Sequence, residues 1–95
     1  MTEEGNHIRL RASIQGRVQG VGFRWHVQRA ACSRNLTGWV RNTVDGGVEL
    51  EVEGPPTTLE AFMEDVRRGP SAARVDAVSV DTIPPEESDE FNIRF

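Results

Sequence analysis

A glycine-rich segment followed by an arginine is the feature of this sequence best suited to chemistry. Glycines stand at positions 16, 20 and 22, and Arg24 comes two residues after the last of them. Glycine accepts positive φ angles and lets a ligand approach the backbone, and successive N–H groups in such a loop form a concave anion site. The guanidinium of Arg24 is always charged and matches the oxygens of a phosphate. The pattern favours a phosphate-binding loop over residues 15–22, with a glycine-rich turn beside a surface arginine as the alternative.

This segment does not fit other common phosphate or metal motifs. A Walker A loop needs Gly-Lys-Ser/Thr, whereas all 11 basic residues of the chain are arginine. A dinucleotide-binding turn needs a third glycine after Gly20 and Gly22, where this chain has Trp25 and His26. Cys32 is the only cysteine, which excludes an internal disulfide and a CxxC pair. We therefore expect neither a metal nor a cofactor.

The residues around the loop predict the elements that position it. Alternating apolar residues predict a strand over residues 8–14, and apolar residues at helical spacing predict a helix over residues 23–34. Arg24 then lies in the first helical turn, where a cation is unfavourable for the helix dipole but free N–H groups favour an external anion. The helix start is therefore suited to receive a phosphate.

Asn42 ends the second predicted strand, which runs from Leu36 to Asn42. A β–α–β crossover makes the first two strands point the same way, so Asn42 and the glycine-rich loop are expected at the same edge of the sheet. Its uncharged amide could hold a water or an oxygen beside a bound phosphate. A turn-forming role before the Asp45-Gly46-Gly47 segment is the alternative.

A hairpin and a second helix follow in the pattern. Asp45-Gly46-Gly47 predicts the turn, and residues 48–53 alternate as a third strand whose three glutamates predict a solvated face. The Thr57-x-x-Glu60 pattern resembles a capping box. Apolar residues at i, i+3, i+4 and i+7 predict a helix over residues 58–68, which Gly69-Pro70 ends.

The last quarter of the chain predicts the remaining strands. A fourth strand is expected near residues 75–82, with either Ala77 or Val78 facing inward. The acidic residues 86–90 predict a solvated loop, and residues 91–95 a short closing strand. The order βαββαβ plus a terminal strand indicates a ferredoxin-like α/β sandwich of the α+β class, with a mostly antiparallel sheet and two helices on one face.

Length and composition restrict the class of protein. A chain of 95 residues holds one domain, expected over residues 8–95 after a flexible lead-in at residues 1–7. The net charge of −4 argues against a nucleic-acid partner. No apolar run approaches the length of a membrane span, and the first residues lack the apolar core of a signal peptide. We expect a cytoplasmic monomer without a nucleic-acid or membrane partner.

Two stretches of the chain resemble the signatures of the acylphosphatase family. The stretch Gly16 to Arg24 reads Gly-Arg-Val-Gln-Gly-Val-Gly-Phe-Arg and resembles the first signature. The stretch Gly38 to Thr43 reads Gly-Trp-Val-Arg-Asn-Thr and resembles the second. They occur in the family's order with a helix-length spacer between them, and the resemblance covers about residues 8–95.

The resemblance implies a role for each matching residue. Backbone N–H groups would surround the phosphate, and they belong to Arg17, Val18, Gln19, Gly20, Val21 and Gly22. Arg24 would bind the phosphoryl oxygens and stabilise the charge of the transition state, while Asn42 would orient the attacking water. Thr43 would support Asn42 by hydrogen bonding, and Gly16 and Gly20 would permit the loop conformation.

The resemblance also implies a reaction and a topology. The substrate would be a small-molecule acyl phosphate, hydrolysed to a carboxylate and inorganic phosphate, with phosphate or sulfate as product or inhibitor. The expected strand order is 4-3-1-5-2. Modules of this family also occur inside larger carbamoyl-transfer maturation proteins, so a non-catalytic module that binds phosphate or an acyl phosphate is the alternative.

Four other side chains have two interpretations each. His26 is expected to pack or face solvent, with a general base as the alternative, and Cys32 is expected to be a half-buried apolar residue. Trp25 and Trp39 are expected to serve as wall or core packing, and lining a substrate acyl pocket is the alternative.

Overall fold

The computed structural model describes residues 6–95 and contains the seven predicted elements in the predicted order. The strands are β1 (Ile8–Arg17), β2 (Thr37–Asn42), β3 (Val48–Gly54), β4 (Arg74–Ile83) and β5 (Phe91–Arg94), and the helices are α1 (Phe23–Cys32) and α2 (Pro56–Arg68). The predicted lead-in falls mostly on residues 1–5, which lie outside the described residues. Asn6 and His7 precede β1 and are exposed. No helix within residues 6–95 is long and apolar enough to cross a membrane.

The sheet has the order β4-β1-β3-β2-β5, and the predicted order 4-3-1-5-2 is wrong. The short turn after Asn42 places β2 beside β3 as a hairpin, and β3 then pairs antiparallel with β1 on its other side. Because β1 and β2 are both antiparallel to β3, they point the same way, as predicted. The strand β5 pairs in parallel with β2 at the edge of the sheet.

Two helices cover one face of the sheet and enclose one core, which confirms the predicted ferredoxin-like α+β fold. The largest fully buried apolar side chains are Phe23, Phe62, Ile14, Leu50 and Leu59, joined by valines 18, 27, 40, 48, 52 and 66. Both helices thus contribute to the same cluster as the inward residues of the central strands. Burial of a core of this kind is the main favourable contribution to folding.

The predicted capping box at α2 is wrong. The N-cap residue is Pro55, it has an extended backbone, and no side chain caps the helix there. Pro56 occupies the first helical position, where its missing N–H is not needed. Thr57 therefore lies inside the first turn. Gly69 ends α2 with a φ of 68°, as the Gly69-Pro70 pair predicts.

A bulge between β1 and β4 explains the ambiguous register of the fourth strand. Ala77 pairs with Gln15 and Val75 pairs with Gly16, so Asp76 is an extra residue on β4. Inward positions therefore fall three residues apart, and Val75 and Val78 both pack on the core. A Cβ at Gly16 would come within 2.1 Å of the Arg74 carbonyl oxygen, so this close approach requires glycine. The first strand thus extends to Arg17, and the prediction of a loop from residue 15 is wrong.

The prediction of a solvated glutamate face on β3 is also wrong. Glu51 and Glu53 are only 7% and 5% exposed, and Arg9 on β1 is 1% exposed. Arg9 donates through Nε to Glu51 at 2.8 Å and through Nη1 to Glu53 at 3.0 Å. The connection from β4 to β5 covers this face, since the backbone N–H of Glu86 also donates to Glu53 at 2.9 Å. We call Arg9, Glu51 and Glu53 the buried ionic cluster.

Candidate active site

The register of the sheet brings the loop after β1 and the end of β2 to one place. Val48 pairs with Ile14 on one side and with Asn42 on the other. Asn42 is therefore level with Ile14, and the chain that leaves β1 passes along the same edge of the sheet. This is the arrangement that the crossover connection predicts.

The loop between β1 and α1 is anchored by its apolar side chains. Val18 is fully buried, and Val21 is half-buried against the core. Gly20 and Gly22 have φ angles of 75° and 80°, and a Cβ on either would face open space. Glycine is thus required here by the left-handed backbone and not by crowding. Among residues 6–95, no acceptor is found for the backbone N–H groups of residues 19–22.

The start of α1 lies at the end of this loop, and no side-chain hydrogen bond caps it. Its N-cap residue is Gly22, no side chain caps the helix, and its first turn carries no acidic residue. The first helical hydrogen bond runs from the His26 N–H to the Gly22 carbonyl at 3.0 Å. The N–H groups of Phe23, Arg24 and Trp25 therefore lack helical acceptors. Together with the helix dipole, they form a site suited to an anion.

Arg24 contacts Arg94 and Phe95. Its Nη1 donates to the Arg94 carbonyl oxygen at 3.2 Å, and its Cζ lies 4.7 Å from the centre of the Phe95 ring. No carboxylate of residues 6–95 forms an ion pair with it. The guanidinium is thus oriented by a carbonyl and a ring, and its charge has no anionic partner in the described protein. Sequence patterns gave no signal for the contribution of Arg94 and Phe95.

Gln19 joins the loop to the β2–β3 turn. Its Nε2 donates to the Thr43 carbonyl at 2.7 Å and to the Gly47 carbonyl at 2.8 Å. The family resemblance implies only a backbone role for Gln19, whereas its side chain links the loop to the turn through these two hydrogen bonds. Because Asn42 immediately precedes Thr43, these two hydrogen bonds also set the position of Asn42 relative to the loop.

The side chain of Thr43 makes its hydrogen bonds within the β2–β3 turn that follows Asn42. Its hydroxyl donates to the carboxylate of Asp45 and accepts from the Gly47 N–H at 3.1 Å. The hydrogen bond from Thr43 holds the pKa of Asp45 below its ordinary value, and the Gly47 N–H adds to the effect. Asp45 is therefore ionised and bonded within the turn.

A pocket of about 210 Å³ gathers most of the predicted site residues. It is lined by Val18, Gly20, Gly22, Phe23, Arg24, Trp25 and Asn42. The lining does not include the other predicted site residues, which are Gly16, Arg17, Gln19, Val21 and Thr43. The pocket combines backbone N–H groups without acceptors among residues 6–95, a guanidinium without a carboxylate partner in that range, and an amide, and these groups suit a small anion. We call it the phosphate pocket after the ligand that the sequence predicts.

The remaining candidates have mainly structural positions. His26 is half-buried, with Nε2 2.9 Å from the Asp65 carbonyl of α2, so it packs between the helices. Trp39 is buried on the outer face of the sheet, with Arg41 and Arg94 stacked on its ring. Cys32 is exposed, so its predicted half-buried position is wrong, because it is the last residue of α1. Trp25 is 66% exposed and is the one predicted tryptophan that lines the phosphate pocket.

Comparison with known proteins identifies the family. The acylphosphatase family model matches residues 10–93. An acylphosphatase of Salinibacter ruber is 53% identical over 79 residues, which cover 83% of each chain. The structure of an acylphosphatase from Coxiella burnetii is 34% identical with a TM-score of 0.91, covering 99% of this chain and 100% of that one. HypF from T. kodakarensis contains a similar region at 44% identity and a TM-score of 0.77, covering 90% of this chain but 11% of that one. The chain belongs to the acylphosphatase family.

Proposed function

We propose that this chain is an acylphosphatase that hydrolyses the carboxyl–phosphate anhydride of acyl phosphates to a carboxylate and inorganic phosphate. The observation that carries the proposal is the convergence of Arg24, Asn42 and the uncapped start of α1 on one pocket. Family membership supplies the reaction, and this geometry supplies the residues that would perform it.

The phosphate pocket would bind the phosphoryl group through complementary charge. The N–H groups of residues 19–22 and of the first turn of α1 would donate to its oxygens, and Arg24 would supply a full positive charge. The loop is anchored before substrate binds, since Val18 and Val21 pack on the core, and the Arg24 guanidinium is oriented by its contacts with Arg94 and Phe95. Fixed donors stabilise developing charge without a reorganisation cost.

Asn42 would orient the attacking water. The water oxygen forms a bond to phosphorus while the bond between phosphorus and the carboxylate oxygen breaks, and the carboxylate leaves with the electron pair. The proton of the water passes to an oxygen of the substrate's own phosphate. Acyl phosphates are activated anhydrides, so positioning and electrostatic stabilisation carry most of the rate.

Three further expectations belong to the same proposal. The reaction needs no metal, the protein is a monomer, and it acts in the cytoplasm on a small acyl phosphate, with inorganic phosphate or sulfate as a competing ligand. Activity in EDTA tests the first, and size-exclusion chromatography with light scattering tests the second. Fractionation of cells that express the tagged chain tests the third.

Hydrolysis of benzoyl phosphate in EDTA is the decisive experiment. Arg24→Gln should lower kcat/KM by about 100-fold or more, because it removes a preorganised charged donor. Arg67→Gln is the matched control, since Arg67 is an exposed arginine in the last turn of α2. It should stay near wild type. Equal activity of Arg24→Gln and wild type would exclude Arg24 from the site.

Asn42→Ala separates water orientation from phosphate binding. It should lower kcat while the inhibition constant of inorganic phosphate changes little. A large loss of phosphate affinity would instead make Asn42 a binding residue. Folded wild-type protein that binds phosphate but hydrolyses nothing would support the alternative of a non-catalytic module, as in a region of a larger protein.

A further inference from the structure

A groove between the two helices opens beside the phosphate pocket. It has a volume of about 670 Å³ and includes Gly22 and Trp25, which also line the phosphate pocket. A substrate that places its phosphate in the pocket can therefore extend its acyl group into this groove. The exposed ring of Trp25 stands at the junction and offers an apolar surface to the carbon chain.

The acidic group of the groove is already neutralised. The carboxylate of Asp65 pairs with Arg34 at 2.8 Å and with Arg68 at 3.1 Å. Arg29 also lines the groove and is exposed, and it forms no ion pair or hydrogen bond through its side chain with any residue of 6–95. The groove therefore presents an unpaired positive charge to whatever enters it.

Helix geometry places this charge toward the phosphate pocket. Trp25 and Arg29 are four residues apart, so they are neighbours on one face of α1. Side chains of a helix lean toward its N-terminus, which directs Arg29 back toward Trp25. From Phe23 to Arg29 the axis rises about 9 Å, a distance that an acyl chain of a few carbons spans.

We propose that Trp25 and Arg29 form an acyl subsite that favours acyl phosphates carrying a second anionic group at the far end of the acyl chain. The chain lies along the Trp25 ring, and the distal anion binds the Arg29 guanidinium. This inference rests on the proposed function of the phosphate pocket. Arg29 also complements the C-terminal dipole of α1, but that role affects stability and not the choice between substrates.

Glutaryl phosphate and pentanoyl phosphate test the subsite, because they have the same chain length and differ in a terminal carboxylate against a methyl group. Wild type should favour glutaryl phosphate by up to about fivefold in kcat/KM, the size of an exposed ion pair. Arg29→Gln should bring the ratio close to one with little change for pentanoyl phosphate. Arg29→Lys and the control Arg67→Gln should keep the preference, and added salt should weaken it.

Several outcomes would overturn the subsite. Equal hydrolysis of the two substrates by wild type, or an unchanged ratio in Arg29→Gln, would remove Arg29 from substrate selection while leaving the proposed function intact. Hydrolysis of benzoyl phosphate but of neither aliphatic substrate would overturn the subsite alone. Folded wild type that hydrolyses none of the three would overturn the proposed function, and the subsite with it. Trp25→Ala should raise KM for both substrates about equally, and an unchanged KM would exclude the ring from the subsite.

Discussion

Two arginines of this fold meet opposite environments. Arg9, on the outer face of the sheet, is 1% exposed and bonded to Glu51 and Glu53. Arg24, at the start of α1, has a carbonyl and a ring as neighbours and no carboxylate partner among residues 6–95. A buried charge must be paired, because desolvation is costly, whereas the role proposed for Arg24 requires a guanidinium without a carboxylate partner. The two arginines are therefore distinguished by their partners and not by residue type.

The largest effect on stability is expected at the buried ionic cluster. Arg9→Gln leaves buried Glu53 without its cation and leaves Glu51 with Arg11 alone, at 3.7 Å. Breaking a buried pair in this way costs about 3–5 kcal/mol. Urea unfolding measures the loss. Arg11→Gln is the control, because Arg11 pairs with Glu49 at 3.1 Å and reaches Glu51 only at 3.7 Å, and its side chain is 47% exposed. That change should cost less than about 1 kcal/mol. Similar losses of stability in both variants would contradict the distinction between a buried and an exposed arginine. The kcat/KM of folded Arg9→Gln should match that of wild type.

Acid should act on the same cluster. Burial alone would raise the pKa of Glu53, but hydrogen bonds from the Glu86 N–H and from Arg9 outweigh it and hold the pKa below its ordinary value. A lowered pKa in the folded state contributes stability above the unfolded pKa, and this contribution is lost as pH falls through the folded value. The free energy of unfolding should therefore decrease below about pH 4.5, the ordinary value for glutamate.

Glu53→Gln tests the origin of that acid sensitivity. The variant should be less stable than wild type at pH 7, because it weakens the ion pair with Arg9. It should also lose less stability between pH 6 and pH 3, since one titrating group is gone. Urea midpoints over this pH range provide the measurement. Parallel curves for the two proteins would place the acid sensitivity elsewhere.

The two regions also differ in how far the sequence predicts them. The meeting of the loop with Asn42 follows from the handedness and direction of a β–α–β crossover, so local patterns suffice. Burial of Glu51 and Glu53 does not follow from alternation, because period two tells which residues share a face but not what covers that face. Here the segment around Glu86 covers the face, and the Glu86 N–H donates to the carboxylate of Glu53, 33 residues earlier in the chain.

Non-local contacts account for the other differences. The strand order depends on the neighbours of β3 and β5. The order implied by the family resemblance places β3 between β4 and β1 and β5 between β1 and β2, whereas β3 lies between β1 and β2 and β5 lies at the edge beside β2. The bulge opposite Gly16 depends on a partner strand that begins at Arg74. Arg24 donates to the Arg94 carbonyl, 70 residues away in the chain. A local sequence pattern cannot predict this contact.

A smaller effect on activity is expected at Gln19, which connects the two halves of the site. Gln19→Ala removes both hydrogen bonds to the β2–β3 turn, so the loop and Asn42 are no longer held at a fixed distance. We expect kcat/KM to fall about tenfold, since loss of one to two kcal/mol of positioning has that size. Gln28→Ala is the matched control, because Gln28 also donates to a backbone carbonyl, that of Phe91, which begins β5 at the end away from Arg94. It should retain wild-type activity, and an equal loss in both variants would point to general loosening.

The smallest effect on activity is expected at Phe95, whose ring lies beside the guanidinium of Arg24. Phe95→Ala removes a cation–π contact with a ring centre 4.7 Å from the guanidinium carbon. Such a contact is worth about 0.5–1 kcal/mol at an exposed site, so kcat/KM should fall roughly two- to fivefold, with a weaker affinity for inorganic phosphate. Phe95→Leu separates the ring from its bulk, because leucine keeps an apolar side chain without a π face. Both variants should lose activity to a similar extent while the exposed control Val80→Ala does not. Full activity in Phe95→Leu would mean that bulk alone holds Arg24, and the Arg94 carbonyl would then be its one polar contact among the described residues.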